Sequence, residues 1–114
     1  MRIGAVSAIG GAVTDAVVCG EGREAVGLLL YPNPTLARAQ IEAAVRAGLA
    51  AFNAAARGSG ARVARALVLP DPPDAAAGEI TDKGYIAQSL ARSRRAVDIA
   101  RLFADPASPD VMEF

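Results

Sequence analysis

Histidine is absent from the sequence. That excludes His-based acid–base catalysis and every metal site that needs an imidazole. Cysteine occurs once, as Cys19, which rules out an internal disulfide or a zinc cluster and makes a reducing compartment the expectation. Excess charge of either sign is also lacking, with 12 Lys plus Arg against 12 Asp plus Glu. A neutral balance does not suit a protein held to nucleic acid or an anionic membrane by bulk charge. No window approaches the ~18 consecutive apolar residues of a membrane span. The apolar stretch after Arg2 is short, carries Gly4, Gly10 and Gly11, and has no small-x-small cleavage site before Asp15. A secretory signal is therefore not expected, and a cytoplasmic location is.

Lysine is nearly missing too. Of the 12 basic residues 11 are Arg, and Lys83 stands alone beside 27 Ala, an imbalance expected of a GC-rich genome. Arg and Lys exchange freely on solvated surfaces, but not where a compact ammonium on a flexible stem is required. What the chain has in quantity is apolar residues, 53% against 21% charged over 114 positions. That is enough for one domain with a core.

The pattern predicts a short helix over 3–10 and a strand over Asp15–Cys19. A turn at 20–24 and a second strand over Ala25–Tyr31 follow, stopped by Pro32-Asn33-Pro34. The two strands form an antiparallel hairpin whose near-continuous hydrophobicity implies cover on both faces. Thr35 is the expected N-cap of a helix over 36–57, with Ile41, Val45, Leu49 and Phe52 on one stripe and Gly58-Ser59-Gly60 ending it. Arg62–Leu69 reads as a third strand, parallel to one of the first two through a right-handed crossover. Pro70–Asp82 is an exposed loop. A last helix over 86–104 should turn Ile86, Leu90, Val97, Ala100 and Phe103 inward and Arg92, Arg94, Arg95 and Arg101 outward. The expected domain spans 1–105, with a flexible tail over 106–114. The fold class is α+β: two layers, a three-stranded sheet and flanking helices, in the order αββαβα.

Several motifs carry no chemistry on this reading. Gly20-Glu21-Gly22-Arg23-Glu24-Ala25 fits the dinucleotide-binding pattern, but a strand follows where a helix N-terminus is needed to face a pyrophosphate. Cys19, closing an apolar strand, is a small core hydrophobe. The four arginines of the last helix form a solvated face, and Asp71, Asp74, Glu79 and Asp82 belong to a soluble loop. Lys83 differs: it follows that loop, precedes a helix, and has Gly84 beside it, which permits close backbone approach to a partner.

The stretch DAVVCGEGREAVGLLLYPN, then ALVLPDPP, then GEITDKGYIAQ resembles the C-terminal domain of adenylate-forming acid–CoA ligases. That superfamily also holds luciferases and the adenylation domains of peptide synthetases. The nearest subgroup is the feruloyl-CoA synthases, which carry an ITDKGYIN-type segment. The likeness runs from about Arg2 to Asp105 and covers only the small domain of a longer enzyme. The family's common motif has Gly immediately before its lysine; here Asp82 precedes Lys83, Gly84 follows it, and Ala87 stands where the subgroup tends to have Asn.

The resemblance implies an ATP-dependent, AMP-forming ligase in which Lys83 serves adenylation, Arg2 contacts nucleotide phosphate and Gly84 allows close approach. ATP, CoA and an aromatic or other carboxylic acid are the implied substrates, with Mg²⁺ held by ligands outside this chain. The implied partner is an N-terminal adenylation domain, on the same or a neighbouring polypeptide; neither nucleic acid nor membrane is a partner. After the first half-reaction the small domain rotates and completes part of the CoA channel, so these residues alone are expected to be inactive. A stand-alone binding or oligomerisation module sharing the fold is the alternative, motivated by Met1 near an element start and by the apolar strands.

Overall fold

The computed structural model describes residues 2–20, 26–56 and 62–114. Their elements are α1 (Arg2–Ile9), β1 (Val13–Cys19), β2 (Val26–Pro32), α2 (Arg38–Ala55), β3 (Val63–Val68), α3 (Gln88–Arg94), α4 (Ala96–Leu102) and β4 (Val111–Glu113). The turn expected at 20–24 and the glycine stop expected at 58–60 fall largely or wholly outside the described residues.

The sheet has the order β1-β2-β3-β4. β1 and β2 pair antiparallel, with Val17 opposite Leu29. β2 and β3 pair parallel, Leu29 opposite Leu67, with α2 as the crossover between them. The fourth strand corrects the expected three-stranded sheet and flexible tail. Val111–Glu113 runs antiparallel to β3, Val111 and Met112 are buried, and Phe114 N–H donates to Ala64 C=O at 2.8 Å. An open edge of β3 offers unpaired backbone groups, and pairing them while burying two apolar side chains outweighs the entropy of a loose end.

Alternation along the strands fills two cores. Ala16, Val18, Leu28, Leu30, Ala66 and Val68 pack against Ala5 and Ile9 of α1 and Ile41, Val45 and Leu49 of α2. Val17, Cys19, Leu29, Tyr31 and Leu67 pack on the opposite face against Ile86, Ala91 and Leu102. With helices on both faces the domain has three layers rather than the expected two.

Two helix boundaries also differ from expectation. Thr35 does not cap α2, because its hydroxyl and its N–H both donate to Asn33 Oδ1, at 2.7 and 3.0 Å. Such local side-chain turns compete with capping; the helix starts later, with Gln40 Oε1 accepting Ala37 N–H at 3.0 Å. The helix expected over 86–104 is interrupted at Arg95 (φ −100°, ψ 25°). Ala91 and Leu102 are buried, whereas Leu90, Val97 and Ala100, expected to face inward, are exposed.

The outer edge of β1 is closed by side chains instead of a strand. Gln88 accepts from Val18 N–H at 3.0 Å and donates to Ala16 C=O at 2.9 Å, and Arg92 donates to Val18 C=O at 3.1 Å. On the other face, α1 and α2 meet at Gly48. A Cβ there would lie 2.6 Å from Ile9 Cα and 2.7 Å from Ala8 O. These are backbone atoms and cannot swing away. Gly48→Ala is therefore expected to lose about 1–3 kcal/mol by overpacking despite its better helix propensity. Urea unfolding of the two chains measures it, and a more stable variant would refute the close approach.

Candidate functional site

Lys83 sits at the tip of a tight hairpin whose flanks are joined by an antiparallel bridge between Ile80 and Ile86. Thr81 N–H donates to Tyr85 C=O at 2.7 Å, and Gly84 N–H donates to Thr81 C=O at 3.0 Å. Gly84 has φ +85°, a left-handed conformation that a side chain rarely adopts. Asp82 and Lys83 thus form the two central residues of a turn closed by a left-handed glycine. This gives the Gly after Lys83 a structural reason. Residues 81–85 are all exposed, and among the described residues none forms a hydrogen bond or ion pair with Lys83.

Arg2 lies on the same side of the molecule as this turn. Its guanidinium donates to Asp15 Oδ1 at 2.7 Å and sits 5.8 Å from the centre of the Tyr85 ring. Between α1 and the turn is an open cleft of about 360 Å³, lined by Arg2, Ser7, Thr14, Asp15, Gly84 and Tyr85. The structure therefore brings Arg2 and Gly84 to one cleft, and Lys83 immediately precedes Gly84 in the chain. Ile3 and Tyr85, which also line it, are exposed at 71% and 55%.

Beneath the turn lies a charge cluster that sequence reasoning missed. Glu79 is fully buried. Its carboxylate accepts from Arg94 Nε at 2.7 Å, Arg95 Nη2 at 3.1 Å, Tyr31 Oη at 3.1 Å and Asp74 N–H at 3.1 Å. Arg94 also reaches Asp74 Oδ2 at 3.1 Å. Burial alone would raise the Glu79 pKa, but the donors from Arg94, the Asp74 backbone, Arg95 and Tyr31 outweigh it and hold the group at about 2. The Tyr31 hydroxyl, buried and bonded to that anion, is pushed up to about 12.

This cluster corrects two expectations. Arg95 is no part of a solvated face: its side chain is 13% exposed and stacks 5.5 Å from the Tyr31 ring centre. The four loop carboxylates do not share one solvated surface: Glu79 is buried and shares Arg94 with Asp74, while Asp82 is exposed at the turn. Among the described residues no group of three His, Cys, Asp or Glu is placed to hold a metal. The available signal for the cluster was the Arg94-Arg95 pair following a carboxylate-rich loop.

Cys19 behaves as its apolar strand suggests. Burial raises its thiol to about 11, with Arg92 pulling the other way. A thiol held protonated and enclosed is a poor nucleophile, so Cys19 should resist alkylation at mildly alkaline pH until the chain is unfolded. Rapid labelling of the native protein, followed by mass spectrometry, would contradict this placement.

The geometry defines a small α+β domain with an exposed lysine at the tip of a turn and an arginine paired with Asp15 beside it. The family model of the AMP-binding enzyme C-terminal domain matches residues 4–107, and the chain belongs to that family. It is thereby a C-terminal domain of the adenylate-forming ligase superfamily, whose enzymes use ATP and, in general, CoA, and which pair such a domain with an N-terminal one. No curated protein and no solved structure matches the chain. Among the described residues no helix is long and apolar enough to cross a membrane.

Proposed function

We propose that this domain is the mobile cap of an AMP-forming acid–CoA ligase of the feruloyl-CoA synthase type, with Lys83 as the adenylation residue. The observation that supports this most is an exposed ammonium, without a partner among the described residues, at the tip of a hydrogen-bonded turn. In the first half-reaction a substrate carboxylate attacks the α-phosphorus of ATP and pyrophosphate leaves. Two anions approach, and charge gathers on the equatorial phosphate oxygens. A cation aimed at those oxygens stabilises the transition state more than the ground state. Lysine suits the task because its three donors can turn between carboxylate, phosphate and ribose oxygens.

Arg2, held over Tyr85, serves the nucleotide phosphate. One of its nitrogens is committed to Asp15, and the remaining donors of the fork stay available. Gly84, lacking a side chain, lets the turn come close to the bound nucleotide. Mg²⁺, when bound by ligands outside this chain, would neutralise charge on the leaving pyrophosphate. In the second half-reaction the CoA thiol attacks the acyl carbonyl and AMP leaves. The cap has by then rotated, withdrawn Lys83 and completed part of the pantetheine channel.

The test is Lys83→Ala in the ligase formed with its N-terminal domain, each half-reaction timed separately. Acyl-adenylate formation should collapse while thioester formation from supplied adenylate persists; equal loss in both would discredit the assignment. Hydroxycinnamic acids should give the fastest adenylation among the acids compared.

A further inference from the structure

We infer that Glu79 is a positioning residue for Lys83: from the base of the hairpin it fixes where the turn carries the ammonium. The inference rests on the reading of Lys83 as the adenylation residue. Because residues 81–85 are all exposed, the tip has no core of its own, and its place is set where the hairpin begins and ends.

Glu79 acts twice at that base. Its backbone C=O accepts Ala87 N–H at 2.7 Å, from the returning side of the hairpin. Its carboxylate is gripped by Tyr31 of β2, by Asp74 N–H in the preceding loop, and by Arg94 and Arg95 at the junction of α3 and α4. One side chain thus fastens the hairpin to sheet, loop and helix, four positions before Lys83. A flexible lysine reaches only the volume that its backbone root allows. Preorganisation of a reacting group depends on such rigid support, and a shift of about 1 Å can cost roughly 10²-fold in rate.

The experiment uses the two-domain ligase, with both half-reactions timed on variants shown by circular dichroism to be folded at the assay temperature. Glu79→Gln removes the charge and keeps the shape. Arg94→Ala leaves the carboxylate three donors and keeps the test open should Glu79→Gln fail to fold. Adenylation is expected to slow by roughly 10- to 100-fold, with thioester formation from supplied adenylate unchanged. In a Lys83→Ala background, Arg94→Ala should slow adenylation no further, because both changes act through one group. A parallel fall of both half-reactions, or full additivity with Lys83→Ala, marks a merely structural role and overturns the inference. Unchanged adenylation in Arg94→Ala, with Lys83→Ala crippled, overturns it alone. An unaffected Lys83→Ala overturns the reading beneath it.

Discussion

Exchanging Glu79 for Ala is expected to lower the unfolding free energy of the chain by about 3 kcal/mol at neutral pH. Removing one partner of a buried ion pair typically destabilises by about 3–5 kcal/mol, because the remaining charge is left uncompensated. Here two guanidinium groups are left behind. Arg95 is enclosed while Arg94 is partly exposed, and solvent screening of the latter draws the expectation to the lower end. Against a total of roughly 5–15 kcal/mol for a domain of this kind, that is a large share.

The effect carries a pH signature with a definite sign. The folded-state pKa is depressed, so the contribution is complete above the ordinary value of 4.5, where Glu79 is ionised in folded and unfolded chains alike. As pH drops, the unfolded chain takes up its proton first. The contribution shrinks from there and is gone once pH passes down through the folded value of about 2. Urea midpoints of the parent and Glu79→Gln should therefore stand far apart at neutral pH and converge in strong acid. A gap that stays constant would show that the charge is not what holds this cluster together.

The second large effect belongs to Lys83→Ala. If the proposed role holds, acyl-adenylate formation in the two-domain ligase falls about 10²–10³-fold, or about 2.7–4 kcal/mol, the usual loss for one transition-state donor. Because Lys83 is exposed and has no partner among the described residues, its removal leaves no buried group unsatisfied, and the melting temperature should not move. That separates the two predictions: one variant fails in stability, the other in a single chemical step. Lys83→Arg sharpens the comparison, since a planar fork cannot turn its donors as an ammonium can; it should recover little of the lost rate. Full recovery would mean that only charge at the tip is needed.

Much of this architecture was legible in the residues because it depends on short-range patterning. The hairpin, α2 and the parallel β3 follow from apolar runs, a 3.6-residue stripe and a crossover of adequate length. The run AVGLLLY already demanded cover on both faces, yet the two-layer expectation left that demand half used; helices over Val17, Leu29 and Leu67 supply the missing layer. β4 escaped because three residues flanked by Pro, Ser and Asp carry no periodicity, and only the open side of β3 gives them a reason to order. The break at Arg95 escaped for a different reason. Arg95 at the break is held by Glu79, sixteen positions earlier, and no local window contains both. Lys83 stood out by scarcity, whereas Glu79 looked like one more acid in a soluble loop until its burial was seen.

The side-chain seal on β1 has a consequence for how such a domain can live in a crowded cell. If the proposed cap movement holds, the domain has to tolerate moments apart from its partner without recruiting neighbours into a growing ribbon. With Ala16 C=O and Val18 N–H already engaged by Gln88, and Val18 C=O by Arg92, an incoming foreign strand finds these rungs of the ladder taken. Gln88 and Arg92 lie on the helix that follows the lysine turn, so the segment that presents Lys83 runs directly into the one that guards the domain's colloidal independence.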